Sequence, residues 1–450
     1  MSARIVLRRS LQLVPRNIYK APKHGLQRQG SDFAHHRLST SAEPPPTPSA
    51  ASDVDNQINS SKSTFRKVGG SFHWKINHDN PLSAIKCHGS FAADPVVVDR
   101  AWLRDACPCE KCVDQSSGQK RHASTDVPTS LPISALKPTE DGGVQIHFEL
   151  DFSTGGTHVS TYPRAFWSQL FRKPVEAAPR TELWNQEMMV KLSPYFSYET
   201  FMAGGAEYRQ AMATLSLYGL IFLDDVPSSE EAVKDIAGKI GVIQNTFYGT
   251  TWDVKSKPNA ENVAYTNSYL GLHQDMLYLR EVPRIQILHC LQNTCEGGDS
   301  LFSDSYRAAH QFRKQFPEEA ESLTRRHLTY HYDKGGHSYQ QSRPVLSYQS
   351  KPTVYWSPPF QSPIQPDELT RDGAFSFKQW HKGAKKFQEI FASWDSVYQH
   401  KMRPGQCSIF DNPRVLHGRL AFDSNGERWL KGTYVDSDSY ESRLRSLNIT

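Results

Sequence analysis

Three residues in two short segments have the types and spacing of a mononuclear iron site. His273 and Asp275 occur in Gly-Leu-His-Gln-Asp-Met, and His417 occurs in Arg-Val-Leu-His-Gly-Arg. Two imidazoles and one carboxylate can bind one face of an Fe(II) ion and leave its other positions open for a cosubstrate and dioxygen. The triplet therefore predicts an oxygenase in which His273, Asp275 and His417 are the catalytic metal ligands.

The segments around the triplet predict the elements that would position it. Residues 283–291 (PRIQILHCL) follow Asp275 and form an apolar run with β-branched residues, which is typical of a buried strand. His417 follows the apolar run 406–410 and the turn signal Asp411-Asn412-Pro413. A closed antiparallel β architecture can bring a strand end and a distant strand to one metal ion. A second His-x-Asp, His331-Tyr-Asp333, is attributed to chance.

Composition restricts the classes of protein that fit. The 450 residues are too many for one small domain, and 27 Gly with 28 Pro suit a turn-rich β fold. No run approaches the roughly 18 apolar residues that span a bilayer, so no membrane segment is predicted. Much of the net charge of +5 comes from the first 38 residues. The remainder is near neutral, which gives no electrostatic reason to expect nucleic-acid binding.

The N-terminus has the composition of a targeting segment. Its first twenty residues, MSARIVLRRSLQLVPRNIYK, are Arg-rich and acid-poor, as in mitochondrial transit peptides. A Pro/Ser-rich linker follows from residue 42 to about residue 62. Residues 1–62 are therefore predicted to be transit peptide and disordered linker, with the mitochondrial matrix as location. The alternative is a disordered basic tail.

Three cysteines lie within six residues and predict a second metal site. Cys107, Cys109 and Cys112 form Cys-Pro-Cys-Glu-Lys-Cys, and zinc binds Cys and His ligands tetrahedrally. The fourth ligand would be His158, which follows a Gly-rich turn, with His122 as the rival. Four protein ligands close a site, so a structural Zn(II) ion is expected in an N-terminal domain of residues 63–175. Three unliganded thiols are the alternative.

Residues 190–450 are predicted to form the catalytic domain. Strand-like runs at 219–224, 285–290 and 353–356 alternate with Gly/Pro turns. A helix is predicted over 228–243 from a capping-box pattern at Ser228, and an aromatic stripe predicts another over 377–398. The fold class expected is mainly β with flanking helices (α+β): a double-stranded β-helix, or jelly roll, plus a smaller zinc-binding β-rich domain.

Several longer motifs extend these observations to a known family. The chain resembles the gamma-butyrobetaine dioxygenase family, within the taurine dioxygenase-like Fe(II)/2-oxoglutarate oxygenases, from about residue 71 to residue 447. The motifs that carry the resemblance are Trp-Leu-Arg-Asp-Ala-Cys-Pro-Cys-x-x-Cys (102–112), Phe-Tyr-Gly-Thr-Thr-Trp (247–252), Asn-Val-Ala-Tyr-Thr (262–266), Leu-His-Cys (288–290), Gly-Gly-Asp-Ser (297–300), Val-Leu-His-Gly-Arg (415–419) and Arg-x-Leu-x-Gly-x-Tyr (428–434).

The resemblance implies roles for individual residues. It implies iron binding by the His273, Asp275 and His417 triplet, and zinc binding by the three clustered cysteines with His158. Arg428 matches the arginine that holds the remote carboxylate of 2-oxoglutarate, which suits a guanidinium because it grips carboxylates bidentately. Ser300 matches a position near the same carboxylate. Ascorbate as reductant and a homodimer are also implied.

The substrate pocket implied by the resemblance is aromatic. A trimethylammonium group donates no hydrogen bond and is recognised by aromatic faces through cation–π contacts. Tyr248, Trp252, Tyr265 and Tyr434 match the aromatic positions of the family, and Asn262 matches a polar position beside them. The resemblance thus implies Fe(II)- and 2-oxoglutarate-dependent hydroxylation of a small quaternary amine carboxylate, gamma-butyrobetaine, to L-carnitine with dioxygen.

Other substrates and one other class of protein remain alternatives. Met276 follows Asp275 where gamma-butyrobetaine enzymes often have an aromatic residue, and residues 356–361 replace Asn-rich sequence. Trimethyllysine dioxygenase shares the aromatic positions and is typically mitochondrial, although it tends to lose the complete cysteine motif. Hydroxylation of another trimethylammonium carboxylate, a taurine-type oxygenase, and a zinc-stabilised binding protein with a vestigial iron site are the remaining alternatives.

Overall fold

Mainly antiparallel sheets and helices make up the described part of this protein, with one parallel strand pair. In the computed structural model, the described residues are 73–76, 84–88, 96–170, 180–255, 266–349, 351–364, 377–423 and 425–449. The transit peptide and linker predicted for residues 1–62 lie outside the described residues. Within the described part, no helix is long and apolar enough to cross a lipid bilayer.

The first part of the chain forms two small antiparallel sheets. The three strands before residue 100 make one sheet, and the three strands between residues 133 and 162 make the other, each in chain order. Phe148, Tyr162 and Trp167 are fully buried in the hydrophobic core of this part of the chain. The elements are β1 (His73–Ile76), β2 (Ala84–His88), β3 (Val96–Asp99), α1 (Arg100–Asp105), β4 (Ile133–Pro138), β5 (Val144–Phe148), β6 (His158–Tyr162) and α2 (Arg164–Leu170).

The second part of the chain carries most of the elements. The helices are α3 (Gln186–Leu192), α4 (Tyr198–Ala203), α5 (Gly205–Tyr218), α6 (Ala232–Ile240), α7 (Ser305–Gln315), α8 (Pro317–Arg325), α9 (Phe377–Phe391) and α10 (Ser437–Ser446). The strands are β7 (Tyr195–Ser197), β8 (Leu220–Asp224), β9 (Trp252–Lys255), β10 (Leu270–His273), β11 (Ile285–Asn293), β12 (Ser300–Asp304), β13 (His327–Lys334), β14 (His337–Pro344), β15 (Leu346–Tyr348), β16 (Pro352–Val354), β17 (Tyr398–His400), β18 (Cys407–Asp411), β19 (Val415–Arg419) and β20 (Arg428–Val435).

Two sheets in this part position the iron triplet. A six-stranded sheet has the order β7-β8-β18-β11-β20-β9, and a four-stranded sheet has the order β10-β19-β12-β17. Buried rings connect them: Phe302 of β12 contacts Phe222 of β8 and Phe410 of β18, with ring centroids 5.7 and 5.6 Å apart. These strands bury apolar side chains on both faces, as the continuous runs predicted.

The two predicted helices are shorter than the sequence suggested. The first begins at Ala232, with Glu231 as a helical N-cap that makes no side-chain capping bond, so the capping box at Ser228 is wrong. The second ends at Phe391, and Trp394 lies in the following turn with its side chain 83% exposed. The helical spacing of aromatic residues continues past Phe391 because the next aromatic residues lie in a turn and then at the start of the strand that begins at Tyr398.

The mixed architecture of sheets and helices agrees with the sequence-based fold class. Strands occur at each of the three predicted runs, over residues 220–224, 285–293 and 352–354. The division into domains at residues 63–175 and 190–450 stays a prediction.

Candidate active site and cysteine cluster

The triplet converges at the end of β10 and the middle of β19. His273 and His417 are register partners on these antiparallel strands, and their ring centroids are 4.4 Å apart. Asp275 follows β10, with Oδ1 3.3 Å from Nε2 of His273 and Oδ2 3.6 Å from Nε2 of His417. One donor atom from each residue lies within 4.8 Å of the other two. The predicted iron ligands therefore meet on one side of a single point.

Main-chain and side-chain bonds hold the ligands in orientation. Nδ1 of His273 lies 2.9 Å from the carbonyl of Gly271, which accepts the ring N–H and leaves Nε2 as the nitrogen that could bind a metal. Buried Asn412 accepts from the Asp275 amide at 2.9 Å and donates to the Asp275 carbonyl at 3.2 Å. Gln274 binds the main chain of Trp356 and Pro413. The loop is thus anchored before any metal binds.

The protonation of the triplet suits a divalent cation. Burial lowers the pKa of His417, and the charge of His273 lowers it further, so the neutral, metal-binding imidazole is favoured. Burial opposes ionisation of Asp275, but hydrogen bonds and charge from both histidines hold its pKa well below the ordinary value. Two imidazoles and one carboxylate are a donor set that fits Fe(II).

A cavity opens beside the triplet and extends to two arginines. Its empty space, counted together with the open solvent at its edge, is about 760 Å³. Arg428 and Ser300 line it, as does Arg419, whose Nη2 donates to the carbonyls of Thr266 and Ser268. Burial and the charge of Arg428 lower the pKa of Arg419 to about 10. Two buried guanidinium groups make this end of the cavity suited to an anion.

Aromatic rings form the other walls of the cavity. Trp252 stacks on Tyr434 with centroids 4.0 Å apart and an interplanar angle of 25°. Tyr248, Tyr278 and Phe360 also line the cavity. The predicted Asn262 and Tyr265 lie outside the described residues. Electron-rich aromatic faces therefore line the same cavity as the triplet, and such faces attract a cation.

Sequence reasoning missed several residues that contact the triplet or line the cavity beside it. Gln286 donates to Oδ2 of Asp275 at 2.9 Å, and its signal was a lone amide within the apolar run 283–291. Asn412 was interpreted only as part of a turn. Arg419 directly follows the His-Gly of the His417 motif and had no assigned role. Phe360 belongs to the segment noted only as a departure from the family pattern.

The three clustered cysteines meet one histidine. Nε2 of His158 lies 3.4, 3.7 and 3.6 Å from the Sγ atoms of Cys107, Cys109 and Cys112. A tetrahedral zinc ion with ordinary bond lengths separates a nitrogen and a sulfur ligand by about 3.5 Å. His122 instead lies beside Asp105 and Phe152. The Cys3His arrangement is therefore compatible with zinc, and His158 is the histidine at the cluster.

A buried ion pair supports this cluster. Arg104 and Asp151, both fully buried, pair through two hydrogen bonds, one of them 3.1 Å from Nη2 to Oδ1. Nη1 of Arg104 also donates to the Sγ of Cys112 at 3.1 Å. Burial raises the pKa of Asp151, but the guanidinium outweighs this and the pKa falls to about 2. Arg104 thus places a permanent positive charge beside the sulfur atoms.

Comparisons with known proteins agree with the geometry. The family model "Taurine catabolism dioxygenase TauD, TfdA family" matches residues 177–434, and "Gamma-butyrobetaine hydroxylase-like, N-terminal" matches residues 94–162. Dioxygenase str8 of Strobilurus tenacellus is 32% identical over 368 residues, which cover 77% of this chain and 84% of the relative. Gamma-butyrobetaine dioxygenase of Homo sapiens is 27% identical, with 77% and 90% covered. Trimethyllysine dioxygenase of Meyerozyma guilliermondii is 27% identical, with 83% and 96% covered.

The TauD model covers more than half of the chain, and its match includes every residue of the iron triplet. The resemblance to the gamma-butyrobetaine dioxygenase family is thereby confirmed, and Fe(II) and 2-oxoglutarate are the cofactor and cosubstrate of this family. The chain belongs to the TauD/TfdA family of Fe(II)- and 2-oxoglutarate-dependent dioxygenases.

Proposed function

We propose that this dioxygenase hydroxylates gamma-butyrobetaine to L-carnitine. The observation that carries the proposal is the cavity, which has the iron triplet on one side, Arg428 at one end and the stacked Trp252 and Tyr434 on another wall. The matched N-terminal model of gamma-butyrobetaine hydroxylases and the human relative support the same substrate.

Each group in the cavity has a proposed task. His273, Asp275 and His417 hold Fe(II), which when bound supplies the oxygen-activating redox chemistry. Arg428 and Ser300, which both line the cavity, bind the remote carboxylate of 2-oxoglutarate. Burial lowers the pKa of Arg428, because a buried guanidinium is costly without a counter-charge. A carboxylate bound beside it would supply that charge.

The aromatic wall orients the substrate. Tyr248, Trp252 and Tyr434 bind the trimethylammonium group by cation–π contact, worth about 0.5–2 kcal/mol for each well-placed ring. Asn262 and Tyr265 are proposed to complete this pocket. A fixed cation determines which carbon of the substrate lies nearest to the metal, so orientation accounts for the selectivity of the reaction.

The proposal extends to the rest of the chain. The two sheets that flank the triplet are proposed to form a double-stranded β-helix, and Cys107, Cys109, Cys112 and His158 to hold a structural Zn(II) ion. A mitochondrial location is supported by the relative named as mitochondrial trimethyllysine dioxygenase of Bos taurus. Ascorbate as reductant and a homodimer stay predictions.

Trimethyllysine is the second candidate substrate. The Meyerozyma trimethyllysine dioxygenase is as similar to this chain as the human gamma-butyrobetaine enzyme is, and the match spans more of this chain. Both substrates carry the trimethylammonium group that the aromatic wall suits. They differ in the distance from that group to the charged end, so a direct comparison of the two distinguishes them.

Succinate formation tests the proposal. Fe(II)-loaded protein is given 2-oxoglutarate and ascorbate with gamma-butyrobetaine, with trimethyllysine, or with neither. Stimulation by gamma-butyrobetaine with formation of carnitine is expected, whereas stimulation by trimethyllysine alone would transfer the assignment to that substrate. His273→Ala should abolish turnover in a folded protein. His331→Ala, which removes the histidine of the other His-x-Asp, is the matched control and should retain activity.

A further inference from the structure

Asp275 receives two hydrogen bonds on the same carboxylate oxygen from the sheet opposite to its own. Nε2 of Gln286 donates to Oδ2 at 2.9 Å, and the hydroxyl of Tyr434 donates to Oδ2 at 2.8 Å. Gln286 and Tyr434 are register partners on β11 and β20, and only 2% of each residue is exposed. A cross-strand pair of the six-stranded sheet thus hydrogen-bonds to Asp275, which follows β10 of the four-stranded sheet.

This arrangement distinguishes the two oxygens of Asp275. A carboxylate oxygen has about two lone-pair sites, and the two donors occupy both sites of Oδ2. Oδ1, 3.3 Å from Nε2 of His273, is the oxygen that keeps its lone pairs for a cation. The main chain of Asp275 is anchored independently by Asn412. The hydrogen bonds from Gln286 and Tyr434 therefore restrict the rotation of the Asp275 carboxylate.

We infer that Gln286 and Tyr434 are positioning residues that make Asp275 a one-oxygen iron ligand. The inference rests on the proposed iron face and deepens it. A carboxylate free to rotate could present both oxygens and take up one of the positions that 2-oxoglutarate and dioxygen need. Outer partners that orient a metal ligand typically change metal affinity by about 10–100-fold when they are removed.

The position of Tyr434 gives the pair a second consequence. Its ring stacks on Trp252 in the cavity wall, while its hydroxyl binds the carboxylate. The aromatic wall and the iron ligand consequently share one side chain. Tyr434→Phe separates the two contributions, because it keeps the ring on Trp252 and removes only the hydroxyl.

Anaerobic Fe(II) titration tests the inference without requiring turnover. Tyr434→Phe and Gln286→Leu should each raise the Kd for Fe(II) about tenfold, and the double variant should raise it further. The visible charge-transfer absorption of the Fe(II)·2-oxoglutarate complex should shift in the same variants, since it reports the ligands around the metal. Thermal unfolding of each variant shows whether the fold is retained. If Gln286→Leu fails to fold, the Kd of Tyr434→Phe for Fe(II) tests the inference by itself.

Tyr278→Phe is the matched control. It removes a phenolic hydroxyl from the same cavity, and Tyr278 is not among the donors to Asp275 in the described part of the chain. Its Kd should stay within about twofold of the parent. Unchanged affinity in both Tyr434→Phe and Gln286→Leu, or an equal loss in Tyr278→Phe, would overturn the inference. If Asp275→Ala binds Fe(II) like the parent, the iron face itself is misassigned and the inference fails with it.

Discussion

Gly432 leaves the space in which the Trp252 indole lies, and replacing it with alanine tests the aromatic wall. The two residues are register partners on β20 and β9. A Cβ on Gly432 would lie 2.5 Å from Cε2 and 2.6 Å from Cζ2 of Trp252. Ordinary contacts begin near 3.4 Å. The indole must therefore move by roughly 1 Å, which suffices to disturb a positioned substrate.

The expected effect falls on the KM for the proposed trimethylammonium substrate. Losing one well-placed cation–π contact costs about 0.5–2 kcal/mol, which corresponds to a KM about 2- to 30-fold higher. The KM for 2-oxoglutarate should stay unchanged, because its proposed partner Arg428 lies at another end of the cavity. Overpacking should also lower the free energy of unfolding by about 1–3 kcal/mol, so the assay must run below the unfolding transition.

The assay is initial-rate succinate formation with each substrate varied in turn. Gly238→Ala is the control, because a Cβ at this position of α6 meets no atom within 4 Å. Its KM values should equal those of the parent. An unchanged substrate KM in Gly432→Ala, or an equal rise for 2-oxoglutarate, would refute the role given to Trp252.

Two further predictions concern parts of the chain away from the iron. Arg104→Gln should leave Asp151 buried without its guanidinium partner and Cys112 without its donor. Zinc loaded at the proposed Cys3His site should therefore pass faster to a chromogenic chelator, and the free energy of unfolding should fall by about 3–5 kcal/mol. Arg121→Gln, at a half-exposed residue, is the control, and equal zinc release from both variants would contradict the prediction. Burial lowers the pKa of His289 to about 4 in the folded protein, whereas an imidazole in the unfolded chain titrates near 6.5. Between these two pH values the unfolded chain therefore binds more protons than the folded protein does. The free energy of unfolding should fall by about 2–3 kcal/mol between pH 7 and pH 4.5, and His289→Leu should remove this part of the loss. The same pH dependence of the free energy of unfolding in variant and parent would disprove the prediction.

Much of the candidate site could be predicted from local sequence. The His-x-Asp pair, the distant histidine and the tight cysteine spacing are short patterns whose chemistry depends on residue type. Buried strands were recognisable because a strand covered on both faces is apolar throughout. The end of α9 could not be predicted, because the aromatic stripe continues into Trp394 although the chain has left the helix. The periodicity of apolar residues indicates which positions are apolar, but it does not indicate where a helix ends.

The sequence by itself determined the chemistry of this protein, because metal-binding and carboxylate-binding side chains act through their own functional groups. The tertiary structure decided which of those groups meet. His158 and not His122 reaches the cysteines because β6 begins beside them, at 46–51 residues' separation. Gln286 and Tyr434 bind Asp275 because β11 and β20 are paired in one register, although 148 positions separate the two residues. Register and sheet packing depend on contacts between distant segments, and no local pattern contains them.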